Sequence, residues 1–240
     1  MPVAAIVVAW VPLVLGLDSI SGRSGQLLLG LLSWVLLAVL LRRQDPLTRV
    51  SVLIVVAYAT LIEYTFSAFL GTYTYRLPGV PAFVPPGHGL VYLAALCLGR
   101  SRAFRARPRA LVIGASVAVA AYALWGLLLS PRLDVLGALW AACLLWFLWR
   151  GRAPLVYVGA FLVVTYLEIL GTSIGTWTWG THDPVLHWIA IGNPPSGAAG
   201  GYGFFDAAAL ALAPGILALL RRMRPVRPEP VLELELTEAA

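Results

Sequence analysis

The sequence predicts an all-α fold: a polytopic integral membrane helical bundle of about eight transmembrane helices, built from two parallel four-helix repeats. Three observations predict it. Hydrophobic residues make up 60% of the chain and charged residues 12%, with a mean hydropathy of +0.86, far outside the range of soluble domains. Most apolar stretches approach the length a bilayer core requires, roughly 20 residues. One distinctive block also occurs twice, the mark of an internal duplication.

The fuller copy places Glu168 in an apolar run, then Gly175-Thr176-Trp177-Thr178-Trp179, then Asn193-Pro194-Pro195-Ser196-Gly197, then Gly201 to Asp206 opening another run. The earlier copy places Glu63, then Gly71-Thr72-Tyr73-Thr74-Tyr75, then Pro85-Pro86-Gly87-His88-Gly89 ahead of a further apolar segment. The glutamates stand 105 residues apart, each with a threonine three places earlier, Thr60 and Thr165.

Taken in order, helices are expected near residues 3–17, 27–41, 50–70 and 90–98, forming a first repeat over 1–105. A second repeat over 106–222 carries helices near 110–129, 135–148, 155–173 and 200–220. A charged, proline-bearing cytoplasmic tail, 223–240, is expected to be disordered and solvated. No basic segment precedes the first apolar run, so it reads as a retained helix and not a signal peptide. The fourth segment is short: either residues 81–86 bend into a complete span, or it is a half-helix buried among its neighbours.

Arginine placement sets the expected orientation. All 17 basic residues are arginine, and 14 of them fall on one side of an eight-span arrangement: Arg42, Arg43 and Arg49, five between Arg100 and Arg109, Arg150 and Arg152, and four from Arg221 to Arg227. Arg23, Arg76 and Arg132 fall on the other. The positive-inside bias therefore puts both termini in the cytoplasm of a plasma (inner) membrane protein and both copies of the block at the outer surface. The formal charge of +6 is not a nucleic-acid signal. Cys97 and Cys143 lie in separate apolar runs without metal or disulfide spacing.

Glu63, Glu168 and Asp206 are acids inside apolar runs, where an unpaired carboxylate costs several kcal/mol. They are the candidate catalytic residues. An apolar site just below a membrane surface can hold a carboxylic acid protonated, ready to donate to an alkene or an oxygen. The plainer reading makes each glutamate a strut holding the Gly-Thr-aromatic loop.

Tyr73 and Tyr75, like Trp177 and Trp179, alternate, so in an extended segment each pair faces one way. Their ring faces suit a cation, although aromatic belts at bilayer interfaces also gather such residues. The double prolines stiffen turns that aim the next helix. His88 and Tyr92 stand four apart, as do Tyr202 and Asp206, so each pair shares a helix face. Tyr73, Tyr75, His88, Tyr92, Trp177, Trp179, Asn193 and Tyr202 are the candidate substrate-binding residues. No clustered ligand spacing, phosphate loop or nucleophile elbow is present, so no metal and no cofactor is expected.

The order Glu63, Gly71, Tyr73, Tyr75, Val80, Pro81, with a second partial match at Glu168, Gly175, Trp177 and Trp179, resembles the motif of membrane carotenoid-biosynthesis proteins of the carotenoid hydratase type. The resemblance covers about a fifth of the chain, and a looser likeness is to small membrane-bound terpene cyclases, which use buried acids. It implies a hydrophobic lipid or isoprenoid substrate and acid-catalysed hydration or cyclisation of a double bond. Two other classes remain open on the residues alone. A small proton-coupled transporter would need polar residues along the cytoplasmic halves of its helices, which here are aliphatic. A structural or assembly subunit would use the outer loops to bind a partner.

Overall fold

The computed structural model describes residues 2–223. Its helices are α1 (Pro2–Ile20), α2 (Arg23–Arg42), α3 (Pro46–Glu63), α4 (Val84–Gly99), α5 (Arg102–Ala106), α6 (Pro108–Leu128), α7 (Val135–Arg150), α8 (Pro154–Ser173) and α9 (Gly200–Arg222). Two three-residue strands, β1 (Tyr73–Tyr75) and β2 (Trp177–Trp179), form an antiparallel ladder. The tail expected at 223–240 lies outside the described residues from position 224 onward.

Local chemistry sets the helix starts. Proline opens α3, α6 and α8, where a missing backbone N–H costs nothing. Asp45 caps α3 through Thr48 N (3.0 Å), and Asp134 caps α7 through Gly137 N (2.9 Å).

The all-α expectation holds, and the apolar helices make this a multi-pass membrane protein. Among the described residues six helices are long and apolar enough to cross a bilayer: α1, α2, α3 with its extension to Phe69, α6, α8 and α9. Their outward faces carry side chains such as Leu31, Val117 and Leu162, all exposed, as lipid-facing surfaces require. The remaining apolar helices, α4 and α7, have 16 residues each. At about 1.5 Å per residue that is roughly 24 Å, short of the ~30 Å hydrocarbon layer.

Helix α4 is buried from Leu90 to Leu96 without interruption, apolar all round, and surrounded by α1, α2, α3 and α8. It starts at Val84, so Pro85 and Pro86 lie inside its first turn rather than in a preceding loop. The two most extensive interfaces, α3 with α9 and α4 with α8, both join the first half of the chain to the second.

The third helix departs from expectation. It does not run as regular α-helix to Leu70 but ends in a π-helical segment, Tyr64–Phe69, with Leu70 N donating to Thr65 O at 2.9 Å. The cause is a one-residue excess: Gly71 stands eight positions after Glu63, whereas Gly175 stands seven after Glu168. A π turn absorbs an extra residue without breaking the helix. Beyond it both chains reverse through a left-handed glycine, Gly71 at φ 71° and Gly175 at φ 73°, which a Cβ would strain.

Candidate functional site

The ladder pairs Tyr73 with Trp179, Thr74 with Thr178 and Tyr75 with Trp177. Side chains alternate along a strand, so both threonines face outward and are exposed while all four aromatic rings face inward. The rings of Tyr73 and Trp179 lie 4.5 Å apart and those of Tyr75 and Trp177 6.4 Å. They roof a cavity of about 470 Å³ that the sequence motifs converge on.

Glu63 hangs beneath this roof. Its Oε2 accepts from Tyr73 OH at 2.8 Å and Tyr75 OH at 2.6 Å, and its Oε1 lies 2.8 Å from His88 Nε2. Burial, reinforced by the Glu63 charge, holds both strand hydroxyls well above the usual tyrosine range, so they remain donors. With Glu63 accepting, His88 Nε2 carries a proton. His88 Nδ1 lies 2.8 Å from Tyr202 OH and accepts from it when the ring is neutral, or donates to it as imidazolium. The chain Glu63, His88, Tyr202 thus runs from α3 through α4 to α9.

Glu168 is held differently. Its Oε2 accepts from the indole N–H of Trp177 (3.0 Å) and of Trp179 (3.1 Å). Its Oε1 has no hydrogen-bond partner among the described residues, and the side chain lines the cavity. The buried Thr72 hydroxyl, also in the lining, has no partner either. Each glutamate is therefore clamped by the aromatics of its own strand, but only Glu63 has a histidine.

Asp206 stands apart. It is buried on the next turn of α9 beyond Tyr202, outside the cavity lining, and both oxygens are occupied, Oδ1 by Tyr92 OH (2.7 Å) and Oδ2 by Tyr157 OH (2.9 Å). The arrangement ties α4, α8 and α9 together. Asn193 is also outside the cavity: its Oδ1 accepts from Trp179 N at 3.0 Å and steadies β2 from the exposed side. The cavity thus brings together Glu63, Glu168, Tyr73, Tyr75, His88, Trp177, Trp179 and Tyr202, and leaves out Asp206, Tyr92 and Asn193.

Sequence reasoning missed the acids that build the frame. Asp134 accepts from three backbone N–H groups, Gly137 (2.9 Å), Gly192 (2.8 Å) and Ser196 (2.6 Å), and so fixes the double-proline loop against α7. Asp18 accepts from Gln26 Nε2 (2.9 Å) and lies 3.7 Å from Arg76. Arg132 donates to the carbonyls of Trp179 and Gly180. An aspartate just before an apolar helix was the available signal for Asp134; its longer-range partners left none.

A scan against protein-family models, a search of curated proteins and a search of solved structures each found no match.

Proposed function

We propose that this is an integral membrane enzyme acting on a long isoprenoid or carotenoid-like lipid, by acid-catalysed hydration or cyclisation of a double bond. The observation that carries the reading is the inequality of the two glutamates in one apolar chamber. Glu168 has one oxygen unengaged at the cavity, whereas Glu63 is bonded by three side chains, Tyr73, Tyr75 and His88.

In this reading Glu168 carries the proton on Oε1 and delivers it to one alkene carbon, leaving a carbocation on the other and a carboxylate on Glu168. The aromatic roof shields the cation. In hydration, water adds to the cation and surrenders a proton to the His88–Glu63 pair. In cyclisation, an internal alkene closes on the cation and the same pair removes the proton that restores a double bond. Return of a proton to Glu168 completes either cycle. Two carboxyl groups in unlike surroundings are what such an acid and base division needs.

The reading extends to the architecture: eight spans, with α4 and α7 as the short ones, in two parallel four-helix repeats, both termini cytoplasmic and the ladder at the outer face. It is supported by the matched strands and by the arginine distribution. Lipid extracts from cells producing the wild type, Glu168→Gln, Glu63→Gln or His88→Ala decide the chemistry. A converted polyene or prenyl chain that disappears in the variants supports it; identical lipid profiles from all four sink it.

A further inference from the structure

The chamber's wall is incomplete on one side. Helices α3 and α7 both pack on α9 but share no extensive interface with each other, and Ile62 and Phe66 at the end of α3 and Trp140 of α7 all line the cavity. Between them lies the first turn of α9, where Gly201 and Phe204 also line it. Phe204 is 44% exposed while its ring packs edge-on against Trp140, centroids 6.1 Å apart. One side chain thus belongs to the chamber wall and to the outer surface together.

Gly201 leaves this stretch open. A Cβ built there would meet a single neighbour, the Trp140 ring at 3.9 Å, whereas one at Gly203, two residues on, would strike the Phe147 ring at 2.1 Å. A large side chain at 201 would therefore stand in the gap without displacing packed core.

We propose that this gap is a lateral window through which a neutral lipid chain passes from the surrounding leaflet into the chamber, with Phe204 and Trp140 as its movable edge. The surface around it is apolar, with Leu61 exposed on α3, Tyr64 exposed in its π-helical extension and Leu139 exposed on α7. Among the described residues no arginine lines the cavity: Arg76 and Arg132 spend their guanidinium groups on backbone carbonyls above it. A chain already dissolved in the bilayer enters such a window without crossing water, and a charged headgroup gains nothing inside. This rests on reading the chamber as the reaction site, but the test below follows entry and not conversion, so the two can fail separately.

The probe is diphenylhexatriene, a neutral rod-like polyene, added to the protein in phosphatidylcholine nanodiscs while energy transfer from the chamber tryptophans is followed by stopped flow. Wild type should show a saturable phase beyond that of bilayer-dissolved probe. Gly201→Phe should slow that phase about tenfold or more, because the plug must move before the chain enters. Trp140→Ala, which widens the window, should quicken it. Gly201→Ala should match wild type, as should Gly215→Phe, a bulky exchange in the same helix at a glycine with open space around it. A wild-type entry rate in Gly201→Phe overturns the window, as does a saturable phase missing from wild type.

Discussion

His88 Nδ1 and the Tyr202 hydroxyl, 114 residues apart in the chain, lie 2.8 Å from one another, and one helical turn farther along the same two helices Tyr92 and Asp206, also 114 apart, meet at 2.7 Å. In the first pair α4 supplies the titratable group and α9 the phenol; in the second the roles are exchanged. The local sequences, Gly87-His88-Gly89 and Gly201-Tyr202-Gly203, align at the same offset. The nearer pair borders the chamber and the farther pair lies outside its lining, so the two positions stand in different surroundings.

Removing the acid should leave the scaffold standing. In Glu168→Gln the amide oxygen still accepts from both indoles, so thermal stability in detergent should stay near that of wild type. Product formation should fall by about 10²-fold or more, the usual range for a lost general acid. Quantitative mass spectrometry of lipid extracts, paired with a melting curve, checks both halves.

Tyr202→Phe should uncouple the relay while keeping the ring. His88 Nδ1 loses its partner in a half-buried setting, which costs about 1 kcal/mol. A lowered melting temperature, with activity reduced less than in His88→Ala, is the expected pattern. Equal losses in both variants would argue that Tyr202 is as necessary as the histidine itself.

The Asp206 cluster should answer in stability. Tyr92→Phe and Tyr157→Phe each remove one donor from the same buried carboxyl group, and each should cost about 1–3 kcal/mol, the range for a buried acceptor left without its partner. Because they share that acceptor, their effects should be non-additive in a double-mutant cycle of denaturation midpoints.

Asp134→Ala should be among the most damaging single changes. It strands three backbone N–H groups at once, and at about 1 kcal/mol or more apiece the loss reaches roughly 3 kcal/mol. Steady-state level in the membrane and the melting temperature should both drop, with β2 and the 192–197 loop becoming open to protease.

The cap of α3 predicts a pH signature. The Thr48 hydroxyl and backbone N–H hold the Asp45 carboxyl below its ordinary range. A depressed folded value means the carboxylate adds stability above the unfolded pKa, about 3.9, and that this contribution fades as pH falls through the lower folded value. The stability gap between wild type and Asp45→Asn should therefore be constant near neutral pH and shrink in acid. Melting curves from pH 7 to 3 test it; a gap that widens in acid contradicts the assignment. The side chain is largely exposed, so the gap should be small.

Much of this was legible beforehand because it follows from local pattern. Apolar runs give helices, the alternation of Tyr73 with Tyr75 and of Trp177 with Trp179 gives inward rings, and a carboxylate inside such a run demands a partner. The π-helical segment was present as a one-residue mismatch between copies, but the count alone does not say whether a helix or a loop absorbs it. Asp206 looked equivalent to the glutamates because depth in an apolar run is a one-dimensional measure.

By itself, the chain determined that the protein is helical, that its helices face lipid, and which few polar groups those helices carry inward. Side-chain chemistry and periodicity settle those points one segment at a time. Tertiary structure alone decided that Glu63 is answered by His88 and Tyr202, that Glu168 keeps an oxygen unengaged, and that Asp206 is locked between two tyrosines. The reason is that a helix advertises which face it will bury but not what it will bury it against. That choice was made by α3 packing on α9 and α4 on α8, and by contacts between distant residues, 114 positions apart for His88 and Tyr202.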